Sequence, residues 1–163
     1  MEEFSLNLLD ISKQVAEELF PDEIWIEVYK NVYIAHGRNP INREQEKVFQ
    51  KELLMAKIAS DNSHVVFLLP ERKINKKNPD SVMDGFLTEF KNISGGENAL
   101  SHRFREALRQ GVNVYLKIDS EITVKRIRQI LRGVLLQKEN AGLVYCYLTH
   151  EKKMYCWKMI DLK

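Results

Sequence analysis

The sequence lacks a cysteine-rich metal motif, a long hydrophobic run and a basic export segment. Its two cysteines, Cys146 and Cys156, form no Cys-x-x-Cys pair, so we expect reduced core residues and neither a zinc site nor a disulfide framework. No apolar run approaches the roughly 20 residues that span a bilayer, which excludes a transmembrane helix. The acidic start at Met1–Phe4 is unlike an export peptide, so we expect a cytoplasmic protein.

What the chain does contain is an ordinary globular composition with a segregated charge. Hydrophobic residues make up 44% and charged residues 29% of the 163 residues, enough to bury a core. Residues 1–29 carry eight acids and one lysine, whereas residues 101–138 carry nine basic residues and three acids. Such a basic segment could hold a polyanion, or it could form solvated helix faces. The candidate nucleic-acid-binding residues are Arg105, Arg109, Lys117, Lys125, Arg128 and Arg132.

Hydrophobic periodicity predicts an α+β fold. The 3.6-residue spacing predicts helices near residues 4–20, 42–60, 99–110 and 121–139. The period-two and short apolar patterns predict a hairpin at 25–34 and strands at 64–69, 112–119, 143–148 and 153–160. We therefore expect a mixed, mostly antiparallel sheet with helices packed on it.

The Asp84-Gly85 pair is a strong signal for a two-residue hairpin turn. A turn at these residues places Asp80 opposite Glu89, with Lys91 on the same face and diagonal to Asp80. Two carboxylates that face each other across a ladder repel, so the arrangement needs a cation, a metal or a shared proton. We therefore interpret Asp80, Glu89 and Lys91 as a chemical site, to which Glu71 after Pro70 could contribute.

Two chemistries and one structural alternative are open for this group. The two carboxylates could bind a divalent metal that assists phosphodiester cleavage. Alternatively, the group could cleave RNA without a metal by general acid–base catalysis, with Lys91 stabilising the phosphorane charge. A salt-bridged surface hairpin is the structural alternative.

Several short motifs, taken in order, resemble one family. They are Leu68-Leu69-Pro70-Glu71, Asn78-Pro79-Asp80, Asp84-Gly85, Glu89-Phe90-Lys91, Arg105-Glu106-Ala107 and Val114-Tyr115-Leu116. Over roughly residues 46–163, this order resembles the C-terminal tRNase domains of contact-dependent growth inhibition toxins, in the barnase, EndoU, colicin and RelE-like nuclease group.

The resemblance implies a toxin-type or mobile-element ribonuclease that cleaves tRNA or other RNA, needs neither metal nor cofactor, and has an immunity protein as partner. It also implies a mostly antiparallel sheet of that nuclease group. Its catalytic residues are Glu71, Asp80, Glu89 and Lys91, and residues 1–45 form an added helix and hairpin before a nuclease-like domain at 46–163. Two alternatives remain: a metal-dependent DNase, because the Asp80 and Glu89-x-Lys91 spacing also resembles the PD-(D/E)xK motif, and a non-catalytic protein-binding module.

Overall fold

A computed structural model describes the backbone of residues 2–36, 42–70 and 79–163, and the side chains from residue 7 onward within these ranges. The chain divides into two compact units, Met1–Leu87 and Thr88–Lys163. Glu71 lies outside the described residues. The expected boundary at residue 45 between an extension and a nuclease-like domain stays a prediction.

The first unit packs two long helices with short strands. Its elements are α1 (Glu2–Leu19), β1 (Trp25–Tyr29), β2 (Val32–Ala35), α2 (Arg43–Asp61), β3 (Val66–Leu68) and β4 (Ser81–Met83). β1 and β2 form an antiparallel hairpin, β3 pairs parallel with β2, and β4 pairs antiparallel with β3. At the centre, the ring of Phe67 stacks on Tyr33 at 4.5 Å and meets the edge of Trp25 at 5.4 Å.

The predicted turn at Asp84 and Gly85 is confirmed. Both residues have positive φ, 52° and 89°, as a type I′ turn requires, and they lie between β4 and β5 (Phe86–Ile93). The Asp84 carboxylate lies 2.6 Å from Nδ1 of His64 and accepts the backbone N–H of Val65 at 2.9 Å. A Cβ at Gly85 would lie 2.4 Å from Cγ2 of Ile11 on α1, so the turn needs glycine for both its φ and its space.

The second unit alternates strands and helices. It contains β5 from Thr88 onward, α3 (Glu97–Ala107), β6 (Asn113–Ile118), α4 (Val124–Leu135), β7 (Leu143–Leu148), β8 (Lys153–Lys158) and α5 (Met159–Leu162). β5, β6 and β7 are parallel neighbours, and β8 pairs antiparallel with β7. The helices α3 and α4 connect the parallel strands, as such crossovers require.

The α+β class is therefore confirmed, but the expectation of a mostly antiparallel sheet is wrong. Parallel and antiparallel pairs occur in both units because α2, α3 and α4 each carry the chain back before the next strand. The more specific expectation of a barnase, EndoU, colicin or RelE-like fold stays a prediction.

The core of the second unit lies between its sheet and the helices α3 and α4. The inward strand residues are Val114, Leu116, Ile118, Val144, Cys146 and Leu148, and they meet Leu100, Phe104, Ile127 and Leu131 from the helices. Cys146 is fully buried, which raises the pKa of its thiol. Cys156 is exposed, so the expectation of two core cysteines holds only for Cys146. Neither cysteine forms a disulfide in the structure.

Cys156 is exposed, contrary to expectation, because of the register between β7 and β8. Leu148 pairs with Lys153, and Cys146 therefore lies opposite Tyr155 rather than Cys156. Within the described ranges, no helix combines the length and apolar character needed to cross a membrane.

Candidate functional site

Two charged side chains of β5 lie on the face that carries the core. Glu89 and Lys91 alternate with Phe90 and lie on the same side as Ile93, which belongs to the core of the second unit. Only 2% of Glu89 is exposed, and 16% of the Lys91 side chain. Glutamate and lysine are almost never so deeply buried without a partner, so this pair marks a candidate site.

Glu106 of α3 connects this pair to the helix surface. One of its oxygens lies 3.9 Å from the Lys91 ammonium, and the other lies 2.9 Å from Nε2 of His102. Arg103 approaches the same carboxylate at 3.7 Å. One oxygen of the carboxylate is therefore shared by Lys91 and Arg103, and the other contacts His102.

Sequence reasoning did not single out Glu106 or His102 as functional residues. Their spacing on α3, four residues apart, is a signal for contact on one helix face. No sequence signal gives the contact from Glu106 to Lys91, because it joins a helix to a strand that precedes it.

Gly111 closes the site behind Glu89. A Cβ at this position would lie 2.8 Å from the backbone nitrogen of Glu89, 2.7 Å from the carbonyl oxygen of Asn113 and 3.2 Å from Cβ of Glu89. The absent side chain thus lets the chain after α3 pass directly against β5. The position of Glu89 depends on this close approach.

The remaining predicted catalytic residues belong to the first unit. Asp80 is half-buried, and its carbonyl oxygen accepts the backbone N–H of Leu69 at 3.0 Å, which extends the ladder between β3 and β4. Its predicted opposition to Glu89 stays a prediction. Glu71 lies outside the described residues, so its contribution to the site stays a prediction.

A polar cluster lies where the parallel strands of the second unit end. Lys117 donates to Asp119 at 2.6 Å and to Asn92 at 3.3 Å, and Thr149 and Asn92 donate to the same carboxylate at 2.6 and 3.0 Å. Burial raises the pKa of Asp119, but the hydrogen bonds from Lys117, Thr149 and Asn92 outweigh it and hold the pKa below its ordinary value. The ammonium of Lys117 is thus engaged inside the protein, and its contact with nucleic acid stays a prediction.

Three of the predicted cations line one groove. Lys125, Arg128 and Arg132 of α4, together with Lys163, border a groove of about 540 Å³, which we call the α4 groove. The groove also contains Asp161 at its C-terminal side. The structure therefore places three of the six predicted cations around one groove.

The other exposed arginines lie elsewhere. Arg105 borders a smaller groove of about 280 Å³ with Glu97 and Arg126, and Arg109 is exposed just after α3. Arg126 pairs with Glu97 at 2.8 Å, and that contact lowers the pKa of the glutamate. The six predicted cations therefore do not form one surface.

Residues 76–150 match the family model described as the contact-dependent growth inhibition CdiA C-terminal domain. The match begins before β4 and ends just after β7, so it includes Asp80, Glu89, Lys91 and all of α4. Over these residues it confirms the resemblance to C-terminal domains of contact-dependent growth inhibition toxins, and it indicates a toxin function of nuclease type. No curated protein and no solved structure matches the chain significantly.

Proposed function

We propose, taking residues 76–150 as a contact-dependent growth inhibition C-terminal domain, that this protein is a toxin nuclease whose catalytic centre is built on β5. One observation carries the proposal. Glu89 is buried on the same strand face as Lys91, and Lys91 is held by Glu106 of the following helix. A buried acid beside an oriented ammonium suits cleavage of a phosphodiester, where negative charge develops.

The first candidate is metal-dependent cleavage. It rests on the Glu89-x-Lys91 pair of β5, whose spacing after Asp80 resembles the PD-(D/E)xK motif. The carboxylate of Glu89 is a hard oxygen ligand of the kind that Mg²⁺ prefers, and its burial suits a ligand shielded from water. When bound, the metal would stabilise negative charge on the phosphate.

The protein's own residues have separate roles in this proposal. Lys91 presents its ammonium to the attacked phosphate and stabilises the charge that grows on its oxygens. Glu106 orients Lys91 from α3, and Gly111 fixes the backbone of Glu89. Asp80 is assigned to this set from the sequence prediction alone, and the Asp80→Asn variant tests it.

A second candidate is cleavage of tRNA or other RNA without a metal. It is favoured by the chain of contacts from His102 through Glu106 to Lys91, because imidazole is the commonest general acid or base. His102 is 69% exposed and can reach a bound substrate. In this candidate His102 exchanges the proton, and Lys91 stabilises the phosphorane.

The two candidates are separated by incubating the purified protein with tRNA and with plasmid DNA, each with Mg²⁺ and with EDTA. Metal-dependent cleavage disappears in EDTA and falls at least about 100-fold in Glu89→Gln, Lys91→Met and Asp80→Asn. Glu97→Gln, an equally conservative change at an exposed ion pair, retains full activity. Cleavage of tRNA that persists in EDTA and is lost in His102→Ala supports the second candidate.

Absence of cleavage in every lane, with folded protein, overturns both candidates and favours a non-catalytic protein-binding module. An immunity protein that blocks the β5 site is part of the proposal. The purified immunity protein, added in equimolar amount, is expected to abolish cleavage by the wild type.

A further inference from the structure

We propose that the α4 groove binds the sugar–phosphate backbone of a nucleic acid and is a binding site separate from the residues that carry out cleavage. The inference deepens the proposed function and rests on it for the class of ligand. Three observations support it. The groove is lined by basic side chains, its α4 cations have no carboxylate partner among the described residues, and the strand register gives its distance from Glu89.

Three cations of the groove make no ion pair within the described residues, because no carboxylate lies within ion-pair distance of Lys125, Arg128 or Arg132. The fourth, Lys163, donates to the carbonyl oxygen of Lys138 at 2.6 Å. By contrast, Arg126, on the same helix, is neutralised by Glu97. Clustered unpaired cations repel one another and are retained where a polyanion neutralises them.

The spacing of these cations suits a nucleic-acid backbone. Lys125, Arg128 and Arg132 follow each other by three and four residues, so they form one stripe along α4. At about 1.5 Å rise per residue the stripe is about 10 Å long. Because a duplex carries one charge per about 1.7 Å, the stripe can contact several phosphates at once.

An aromatic pair holds the central arginine in place. The guanidinium of Arg128 lies 5.8 Å from the ring of Trp157 on β8, and this ring stacks on Tyr155 at 5.6 Å. The cation–π contact limits the motion of Arg128 before any ligand is bound. It also makes Trp157 an optical reporter for the groove.

The register of the sheet relates the groove to the catalytic pair. Glu89, Val114, Val144 and Trp157 pair successively across β5, β6, β7 and β8 and share one face. Three strand spacings of about 4.8 Å separate Glu89 from Trp157 by about 14 Å. This distance equals about four nucleotide steps of 3.4 Å. The groove would therefore bind the substrate backbone several nucleotides away from the bond that is cleaved.

The test uses Trp157 fluorescence in a full-length protein that binds without cutting. Glu89→Gln blocks cleavage, and Trp25→Phe leaves Trp157 as the remaining tryptophan of the two in the chain. Trp25 Nε1 has no hydrogen-bond partner in the described part of the protein, so this replacement breaks no such bond. The probes are tRNA, single-stranded DNA and duplex DNA, titrated at several salt concentrations.

The expected result is a saturable change in Trp157 fluorescence with at least one of these probes. In the triple variant Lys125→Ala, Arg128→Ala and Arg132→Ala, affinity falls at least 10-fold, and the slope of log K against log salt falls by about 2 to 3, near 0.7–0.9 per lost phosphate contact. Arg126→Ala, a loss of one charge on the same helix, leaves affinity within about threefold. The charge-preserving variant Lys125→Arg, Arg128→Lys and Arg132→Lys retains binding and shows that side-chain replacement alone is harmless.

Two results overturn the proposal. One is equal loss of affinity in Arg126→Ala and in Arg128→Ala, which would mean that binding follows net charge. The other is absence of binding to every probe at low salt, which would leave the groove to an acidic protein partner. Failure of catalysis is distinguishable: a wild type that cuts nothing while the groove still binds refutes the nuclease and not the groove.

Discussion

Replacing Gly111 by alanine tests whether the position of Glu89 controls catalysis. The added methyl would lie 2.8 Å from the Glu89 nitrogen, about 0.6 Å closer than the 3.4 Å at which ordinary contact begins. The methyl would also lie 2.7 Å from the carbonyl oxygen of Asn113. Both obstacles are backbone atoms, so a side-chain rotation cannot relieve them, and the backbone of β5 or of the segment around Gly111 must shift.

The shift should lower the free energy of unfolding and should lower the rate of cleavage more strongly. Overpacking of this kind typically destabilises a protein by about 1–3 kcal/mol. A displacement of about 1 Å at a reacting group can reduce the rate about 100-fold. We therefore expect Gly111→Ala to lose about 10- to 100-fold in kcat while most of the protein stays folded.

The assay combines urea denaturation with cleavage under conditions where wild type and variant are both fully folded. Gly133→Ala is the matched control: no atom lies within 4 Å of its added Cβ, and it lies in α4, where alanine stabilises by about 0.5–1 kcal/mol. The control should be more stable and equally active. A Gly111→Ala protein with wild-type kcat would refute the assignment of Glu89 as a catalytic residue.

Two further changes address the charged clusters. Glu106→Gln leaves Lys91 without its carboxylate partner, and we expect about a 5-fold lower kcat with KM unchanged, because partly exposed charge pairs contribute about 1 kcal/mol; an equal effect on KM would mean that Glu106 acts in substrate binding instead. Asp119→Asn removes the negative charge that Lys117 contacts and one of the two oxygens that accept hydrogen bonds, and it should lower the free energy of unfolding at pH 7 by about 1–2 kcal/mol. Because the folded-state pKa of Asp119 lies below its usual 3.8, this stabilisation is complete above that value and is lost as the pH falls through the folded pKa. Urea denaturation between about pH 7 and pH 2 should therefore show wild type converging on the variant in acid, and a constant difference would contradict the assignment.

The local elements were predictable because each depends on neighbouring residues. Asp84-Gly85 specifies a two-residue turn by its φ preferences, and both residues have positive φ in the structure. β7 begins and ends at Leu143 and Leu148 as expected, since a short apolar run there is bounded by polar residues. The contact of Gly85 with Ile11 was not predictable, because it joins residues far apart in the chain.

Strand direction was misjudged although a signal for it was present. Nineteen residues with a helix separate the end of β5 at Ile93 from the start of β6 at Asn113, which is a connection typical of parallel neighbours. The nuclease group suggested by the motifs pointed to antiparallel pairing instead. Connection length reports on topology directly, whereas short motifs report on a family whose members can arrange their sheets differently.

The basic residues between 101 and 138 show that a sequence reports the amount of charge but not which cations are paired inside the protein. By spacing alone, Lys117 and Arg128 are equal candidates for phosphate contact. In the structure Lys117 donates to Asp119 and Asn92, whereas Arg128 has no carboxylate partner among the described residues, lies against the Trp157 ring and borders the α4 groove. A cation that already has a carboxylate partner must give it up before it binds a phosphate, so its net contribution to affinity is small. The salt dependence of nucleic-acid binding should therefore follow the cations without carboxylate partners in the groove rather than the total basic charge.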